Sequence, residues 1–346
     1  MKKYILFLVF LFLNLQLLFG YSEDDWSIIR KYAPFFYQHV NEKNVYDQIT
    51  RLDFDGNFDA GDNTKNALTT PLPAYVYAEI LAETKDAYYI TYNVYHAMDW
   101  QSGIMGKMPG QVHDNDFEGA IVAIDKKHEM VIAVESRWHT FITKKMYFEV
   151  SADSGMHFSR IYTIDSKPVM FVEAEGHGVT VASEPMFGEF QKEFNGIRYY
   201  YGAKAEIPDK DAETQEVSYD LLPMSDLYEQ TKEPYGKGHM FATETIELFG
   251  LTLPRFFQGG GNFNTDKDSF LTRCAKPKMP WYWLASPFLK DDSAGYWYFD
   301  PADTFKKDFG WLRSTDYLTN NLINFFRKPP EDQKEKTEFY NKFLGR

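Results

Sequence analysis

Four side chains between residues 99 and 118 are of the types that hold a divalent cation: Asp99, His113, Asp116 and Glu118. Asp99 ends the run Tyr95-His96-Ala97-Met98-Asp99-Trp100. The other three lie in His113-Asp114-Asn115-Asp116-Phe117-Glu118-Gly119, after a loop containing Gly, Met and Pro. This segment leads into the apolar stretch Ala120 to Ile124, which reads as a strand. If Asp116 and Glu118 lie on the lead-in to that strand, alternation puts both carboxylates on one face. Two close carboxylates repel unless a cation or a proton lies between them. His113 can swing in from the loop, and Asp99 can close the set. Three carboxylates and one imidazole suit Mg²⁺, Mn²⁺ or Ca²⁺ completed by water, whereas zinc prefers more nitrogen or sulfur. The competing reading is an acidic turn that only solvates a sheet edge.

Two further stretches carry titratable groups in strand-like spacing. In Val169 to Gly178, alternation would put Glu173, Glu175 and His177 on one face, opposite Val172 and Ala174. Glu175 and His177 are therefore candidates to line a pocket. In Glu135-Ser136-Arg137-Trp138-His139, the residues Glu135, Arg137 and His139 alternate in the same way. Glu135 reads as part of a solvent-facing stripe. His139 joins His177 as a pocket-lining candidate, and either imidazole could serve as a general base near the cation.

Asp53 to Asn63 is rich in side-chain oxygens, but the sixth and twelfth positions of a calcium loop fall on Phe58 and Thr64 instead of Gly and Glu. It reads as a turn held by side-chain-to-backbone hydrogen bonds, bordering the first site. Gly259-Gly260-Gly261-Asn262 lacks the Lys-Ser/Thr of a phosphate loop. Cys274 has no His near it in sequence and reads as an inert thiol.

The elements that would position these residues are mainly strands. Ala74 to Leu81 and Ala87 to Tyr95 are rich in aromatic and β-branched residues around Lys85-Asp86, the pattern of a hairpin. Strands are also expected at Ala120–Ile124, Met130–Glu135, Met146–Val150, Ser159–Ile164 and Val169–Glu175. Weaker strand patterns occupy Gly178–Ala182, Ile197–Tyr201 and Thr243–Leu248. Asp209 to Glu216 is the most polar stretch and reads as a surface loop. Ser22 to Tyr32 reads as a short helix with Ser22 as its cap and three acids in its first turn. Helical patterns return only at Thr315–Phe326 and Glu331–Leu344. The expected fold is mainly β: an antiparallel β-sandwich with loop elaborations, a short N-terminal helix and C-terminal helices. It forms a single elaborated domain over residues 21–346, with 315–344 mainly helical.

Met1-Lys2-Lys3, an apolar stretch from Tyr4 to Phe19 and Gly20 have the three parts of a secretory signal peptide over residues 1–20. The chain is therefore expected to be secreted or periplasmic, in a bacterial envelope, with no transmembrane segment after cleavage. With one Cys among 346 residues, an exported chain has no internal disulfide to stabilise it. Aromatic residues at 18% supply a large core instead. A net charge of −13 argues against nucleic acid as a partner and suits a cation.

His113-Asp114-Asn115-Asp116-Phe117-Glu118 resembles the Gly-His-Arg-His-Asp-Trp-Glu signature of the necrosis- and ethylene-inducing peptide 1-like proteins. It is also similar to the His/Asp-Trp-Glu segment of proteins related to vacuolar protein sorting protein 62. The aromatic Tyr92-Asn93-Val94-Tyr95 followed by Asp99 is similar to the strand before the motif in the first family. Looser similarity to the second family falls on Val169–Gly178, on Met279-Pro280-Trp281-Tyr282-Trp283 and on Phe299-Asp300-Pro301-Ala302. The departures are Gln111-Val112 for the Gly before His113, Asp114 and Asn115 for Arg and His, Phe117 for Trp, and a longer gap after Asp99.

The first resemblance implies a β-sandwich with a divalent cation in an acidic pocket that recognises membrane sphingolipid head groups. Its ligands would be Asp99, His113, Asp116 and Glu118. The expected function is an exported protein that binds one divalent cation (Mg²⁺, Ca²⁺ or Mn²⁺) and recognises a polar ligand, a glycan or lipid head group. The alternatives are a metal-dependent hydrolase of phosphoester or glycosidic bonds, and a structural envelope protein with a metal staple.

Overall fold

The computed structural model describes residues 22–41, 45–58, 62–102, 113–137, 150–151, 161–183, 187–188, 194–210, 214–228, 245–248, 251–254, 261–263, 274–277, 294–309 and 314–344. The proposed signal peptide, His139, Trp281 and Trp283 lie outside the described residues.

Helix α1 (Glu23–Lys31) forms where its cap predicts. The Asp25 N–H donates to Ser22 Oγ at 3.1 Å, and the Asp25 carboxylate accepts from the Ser22 N–H at 3.1 Å. This capping box satisfies two N–H groups that the helix itself cannot.

Strands follow as β1 (Phe35–His39), then β2 (Tyr75–Thr84), β3 (Ala87–Asp99), β4 (His113–Asp125), β5 (Met130–Arg137) and β6 (Val150–Ser151). Next come β7 (Thr163–Ile164), β8 (Lys167–Val172), β9 (Val179–Val181), β10 (Gly196–Tyr201) and β11 (Thr214–Pro223). The short helix α2 (Asn63–Asn66) lies between β1 and β2. Two separate ladders pair β12 (Thr245–Leu248) with β13 (Leu251–Pro254) and β14 (Gly261–Phe263) with β15 (Cys274–Pro277). The chain then forms α3 (Ala294–Phe299), α4 (Pro301–Phe309), β16 (Tyr317–Asn320), α5 (Asn321–Phe326) and α6 (Gln333–Phe343). Among the described residues no helix is long and apolar enough to cross a membrane.

The expected antiparallel sandwich gives way to one twelve-stranded mixed sheet in the order β6-β5-β4-β3-β2-β11-β10-β1-β8-β7, with β16 beside β2 and β9 beside β8. Three of its ladders are parallel: β1 with β8, β10 with β11, and β11 with β2. Strand β9 also packs against β4 and β5, so the sheet curls until it is nearly barrel-shaped.

The inner face carries Val76, Ile90, Tyr92, Val94, Ala120, Val122, Val134, Met170 and Val181. The outer face of β2 to β5 carries Tyr77, Tyr89, Tyr95, Phe117 and Ile121, and α3 to α6 cover it with Trp297, Tyr298, Phe305 and Ile323. Strands buried on both faces read as nearly continuous apolar runs, which accounts for the aromatic content.

Other expectations also shift. Strand β8 stops at Val172, and residues 174–176 form a turn, so Glu173, Glu175 and His177 do not alternate. Part of the polar stretch read as a loop, Thr214 to Glu216, begins β11. Residues 317–320 pair with β2 before α5 starts, so the helix expected from Thr315 begins later. Helices α3 and α4 were not expected at all. Glu135 is buried and accepts from Trp297 Nε1, so it does not belong to a solvent-facing stripe. Within the described part of the 53–63 segment, residues 53–58 form a turn: the Gly56 N–H donates to Asp53 O, and the Asn57 N–H to Asp55 Oδ1.

Candidate metal centre

Strand β4 spans the whole acidic segment, not only its apolar end. His96 of β3 pairs with Asp116 of β4, and Val94 pairs with Glu118. His96, Asp116 and Glu118 therefore share the inner face with Val94 and Ala120, toward the end of β3 and the start of β4. All three are at most 1% exposed.

Asn115 breaks the alternation. Its φ of 62° is left-handed, a conformation that Asn tolerates better than most residues. Its Oδ1 accepts from Tyr95 Oη and from Asn63 Nδ2, on the outer side of the sheet. Asp114 accordingly meets Thr64 Oγ1 instead of joining Asp116, which brings the α2 region to the border of the site.

The turn after β8 supplies the second imidazole. Glu175 (φ 71°) and His177 (φ 52°) are both left-handed, at a cost that the surroundings must offset. Asp47 does much of this. Its Oδ1 accepts from the Glu175 N–H (2.9 Å), Trp100 Nε1 (2.8 Å) and His177 Nε2 (3.1 Å), and its Oδ2 accepts from the Asn41 N–H (2.8 Å). One buried carboxylate thus ties Asn41, Trp100 just after β3, and Glu175 and His177 of the turn after β8 together.

The other ring nitrogen of His177, Nδ1, lies 3.0 Å from Asp116 Oδ2. Burial alone would push the His177 pKa down, but hydrogen bonds and charge from Asp116 and Asp47 raise it to about 10. Without a bound cation, His177 is therefore an imidazolium held between two carboxylates, and a cation taking one of its ring nitrogens would have to displace that proton. His96 stacks on the His177 ring with centroids 3.7 Å apart and planes at 7°. Burial first, and then the neighbouring His177 charge, push the His96 pKa well below the usual range, against a smaller upward pull from Asp99. His96 is a neutral ring.

His96, Asp116 and His177 each bring a ligand atom to within 4.8 Å of the others, a spacing that can hold a metal ion. Of the residues expected from the sequence, Asp116 and His177 are members. Glu118 is buried on the same face, and Asp99 is buried at the end of β3, but neither belongs to this set. The backbone of His113 pairs with Asp99, while its side chain is outside the described residues. Glu175 lies at the rim, where it accepts from Asn41 Nδ2 (2.6 Å) and from the Ser102 N–H (3.1 Å).

The sequence reading missed His96, Asp47 and Gln38. His96 sits inside an aromatic strand, where a lone His looks like core. The ring lies across from Asp116 only through strand pairing.

No protein-family model matches this sequence, and no curated protein matches it. Among solved structures, the chain is similar to NLPPya in complex with mannosamine: 17% identity and a TM-score of 0.28, covering 46% of this chain and 66% of that one. A complex of NLPPya with glucosamine gives the same figures. Another match, described as a toxin fold for microbial attack and plant defense, shows 11% identity and a TM-score of 0.29 over 62% of this chain and 80% of that one. Necrosis and Ethylene inducing Protein 2, from the causal agent of cocoa's Witches Broom disease, shows 12% identity and a TM-score of 0.22, covering 47% and 56%. The neighbours are thus necrosis- and ethylene-inducing proteins, at low identity and with partial coverage. At these scores they assign no role to any residue of this chain.

Proposed function

We propose that this chain, once exported, binds one divalent cation at His96, Asp116 and His177 and uses it to recognise a polar ligand, an amino sugar or another glycan or a lipid head group. The observation that carries the reading is the cluster itself: three ligand atoms within 4.8 Å of one another on buried side chains. The donor set fits an ion. The His96 ring is neutral, and its Nδ1 has no hydrogen-bond partner among the described residues. Burying such an atom without compensation is costly, and a cation supplies the compensation. Glu118 and Asp99 add formal negative charge at the same end of the sheet, which favours a cation further.

A bound cation would supply a Lewis-acidic centre for ligand oxygens. The protein's own part is to hold the cluster rigid through Asp47 and to present a polar rim of Asn41, Glu175 and Ser102. The hydrolase alternative asks His177 or His139 to move a proton. His177 has a carboxylate on each ring nitrogen, which suits it to orientation more than to proton shuttling.

Calorimetry on the purified chain tests the proposal. Ca²⁺, Mg²⁺ or Mn²⁺ should bind one to one, binding should be lost in Asp116→Asn, and amino-sugar or head-group binding should disappear with chelator. If none of these cations binds, or if Asp116→Asn binds as well as wild type, the reading fails.

A further inference from the structure

The two imidazoles of the cluster are anchored from outside β4. His96 Nε2 lies 2.9 Å from Gln38 Oε1, and His177 Nε2 lies 3.1 Å from Asp47 Oδ1. Strand β4 itself sets how many carboxylates face them. Asp114, Asp116 and Glu118 are spaced by two, so an unbroken strand would turn all three toward the inner face. Asp114 does not follow. It and Asn115 are adjacent, yet both side chains reach α2: Thr64 Oγ1 donates to Asp114 Oδ1 at 2.5 Å, and Asn63 Nδ2 donates to Asn115 Oδ1 at 3.3 Å. Adjacent residues of a regular strand point to opposite faces. The left-handed φ of 62° at Asn115 removes that constraint, and Tyr95 Oη holds the residue there by donating to the same Oδ1 at 2.5 Å. Asp116 then returns to the inner face, 3.0 Å from His177.

Three like charges along one strand face repel unless a cation or a proton offsets them. Diverting Asp114 to a hydroxyl partner lowers both the charge and the number of oxygens that β4 turns inward. From this we infer that Asn115 is a specificity-determining residue: its left-handed backbone withholds Asp114 from the cluster and so sets which divalent cation the site prefers. The inference rests on the cation reading above and deepens it. Ca²⁺ takes six to eight oxygen ligands in flexible geometry, and its affinity follows the number of charged ligands. Mg²⁺ keeps several waters and needs only one or two carboxylates. A site from which a carboxylate is withheld therefore has a low ratio of Ca²⁺ to Mg²⁺ affinity.

Calorimetric titration of Ca²⁺ and Mg²⁺ into the purified chain and its variants reads that ratio. Asn115→Val places a β-branched side chain where φ is positive, so β4 is driven back to regular extension and Asp114 inward. The Ca²⁺-to-Mg²⁺ affinity ratio should then rise about tenfold or more. Asn115→Gly keeps a positive φ without strain and should keep the wild-type ratio. Adding Asp114→Asn to Asn115→Val should cancel the rise. Asp114→Asn alone, its carboxylate lying outside the site, should shift the ratio by less than about twofold.

A folded Asn115→Val with the wild-type ratio overturns the inference while leaving cation binding intact. A rise that survives Asp114→Asn does the same, as does a ratio changed by Asp114→Asn alone. If Asn115→Val does not fold, Asn115→Ala takes its place, because alanine also disfavours a positive φ and the same direction of change is expected. A chain that binds no divalent cation at all removes the inference and the proposed function together.

Discussion

Strands β2 to β5 bury polar groups on both faces, and the two layers differ in what completes them. On the outer face, Tyr228 Oη donates to Glu79, Tyr298 Oη to Asn93 Oδ1 and Trp297 Nε1 to Glu135, while Asn93 Nδ2 donates to Thr91 Oγ1. The donors come from α3 and from the 224–228 turn, so the helical layer is pinned to the sheet by hydrogen bonds as well as by apolar contact. Gly119 makes room for this arrangement, since a Cβ there would lie 2.3 Å from Asn93 Oδ1. On the inner face Asp116 meets the imidazole of His177, which is stacked on that of His96. One of these is charged, and the other has a ring nitrogen with no hydrogen-bond partner among the described residues. Burial of acids is common to both layers and says little about function. Completion by neutral donors marks a structural layer, and titratable partners around a bare lone pair mark a site.

The harshest way to separate the two layers is Asp116→Ala. It removes a cation ligand and one of the two carboxylates that hold the His177 imidazolium. Breaking a buried charged pair from one side costs about 3–5 kcal/mol, and that loss should appear in denaturant unfolding without added metal. Cation affinity should fall by about a hundredfold or more in the same variant. An Asp116→Ala protein of unchanged stability would mean that the inner layer is no more coupled than the outer one.

A pH titration of stability, without added metal, probes the same contrast without mutation. The folded His177 pKa is about 10, above its ordinary 6.5, so its contribution is complete below pH 6.5 and is lost as pH rises toward 10. The His96 pKa is lowered, so its contribution is present above pH 6.5 and is lost as pH falls below that value. Together the pair predicts a stability maximum near pH 6.5 (from its ordinary histidine pKa) that flattens on the alkaline side in His177→Asn. An unchanged alkaline slope in that variant would remove His177 as its source.

What the sequence made legible follows from what is local. The helix cap at Ser22, the hairpin around Lys85-Asp86 and the shared face of Asp116 and Glu118 all depend on neighbours a few residues apart. Each appears where periodicity puts it. What stayed hidden depends on pairing across the fold. Strands β1 and β11 carry parallel ladders to partners far away in sequence, and Gln38 reaches His96 only because β1 lies beside β8 and its following turn. Asp47 sits in a turn whose role exists only once three segments converge on it. Alternation failed at Glu173, Glu175 and His177 because two of the three are left-handed, and no period of two survives that. Glu135 was misread for a related reason. Its side chain meets Trp297, a residue more than 150 positions later in the chain, not water.

The mildest test falls on the outer layer, and its value lies in a small result. Glu135→Gln keeps an oxygen that can accept from Trp297 Nε1 and removes only the formal charge. A hydrogen bond retained at the same place leaves stability within about 1 kcal/mol of wild type. Glu135 lies on β5 and meets Trp297 of the helical layer, whereas His96 and Asp116 of the cluster lie on the inner face of β3 and β4. Changes at well-separated sites add independently, so cation affinity should stay within about twofold of wild type. Calorimetry and thermal unfolding of this one variant measure both quantities. A cation affinity that falls with Glu135→Gln would tie the two layers into one electrostatic unit, and the outer carboxylates would then have to be counted as part of the site.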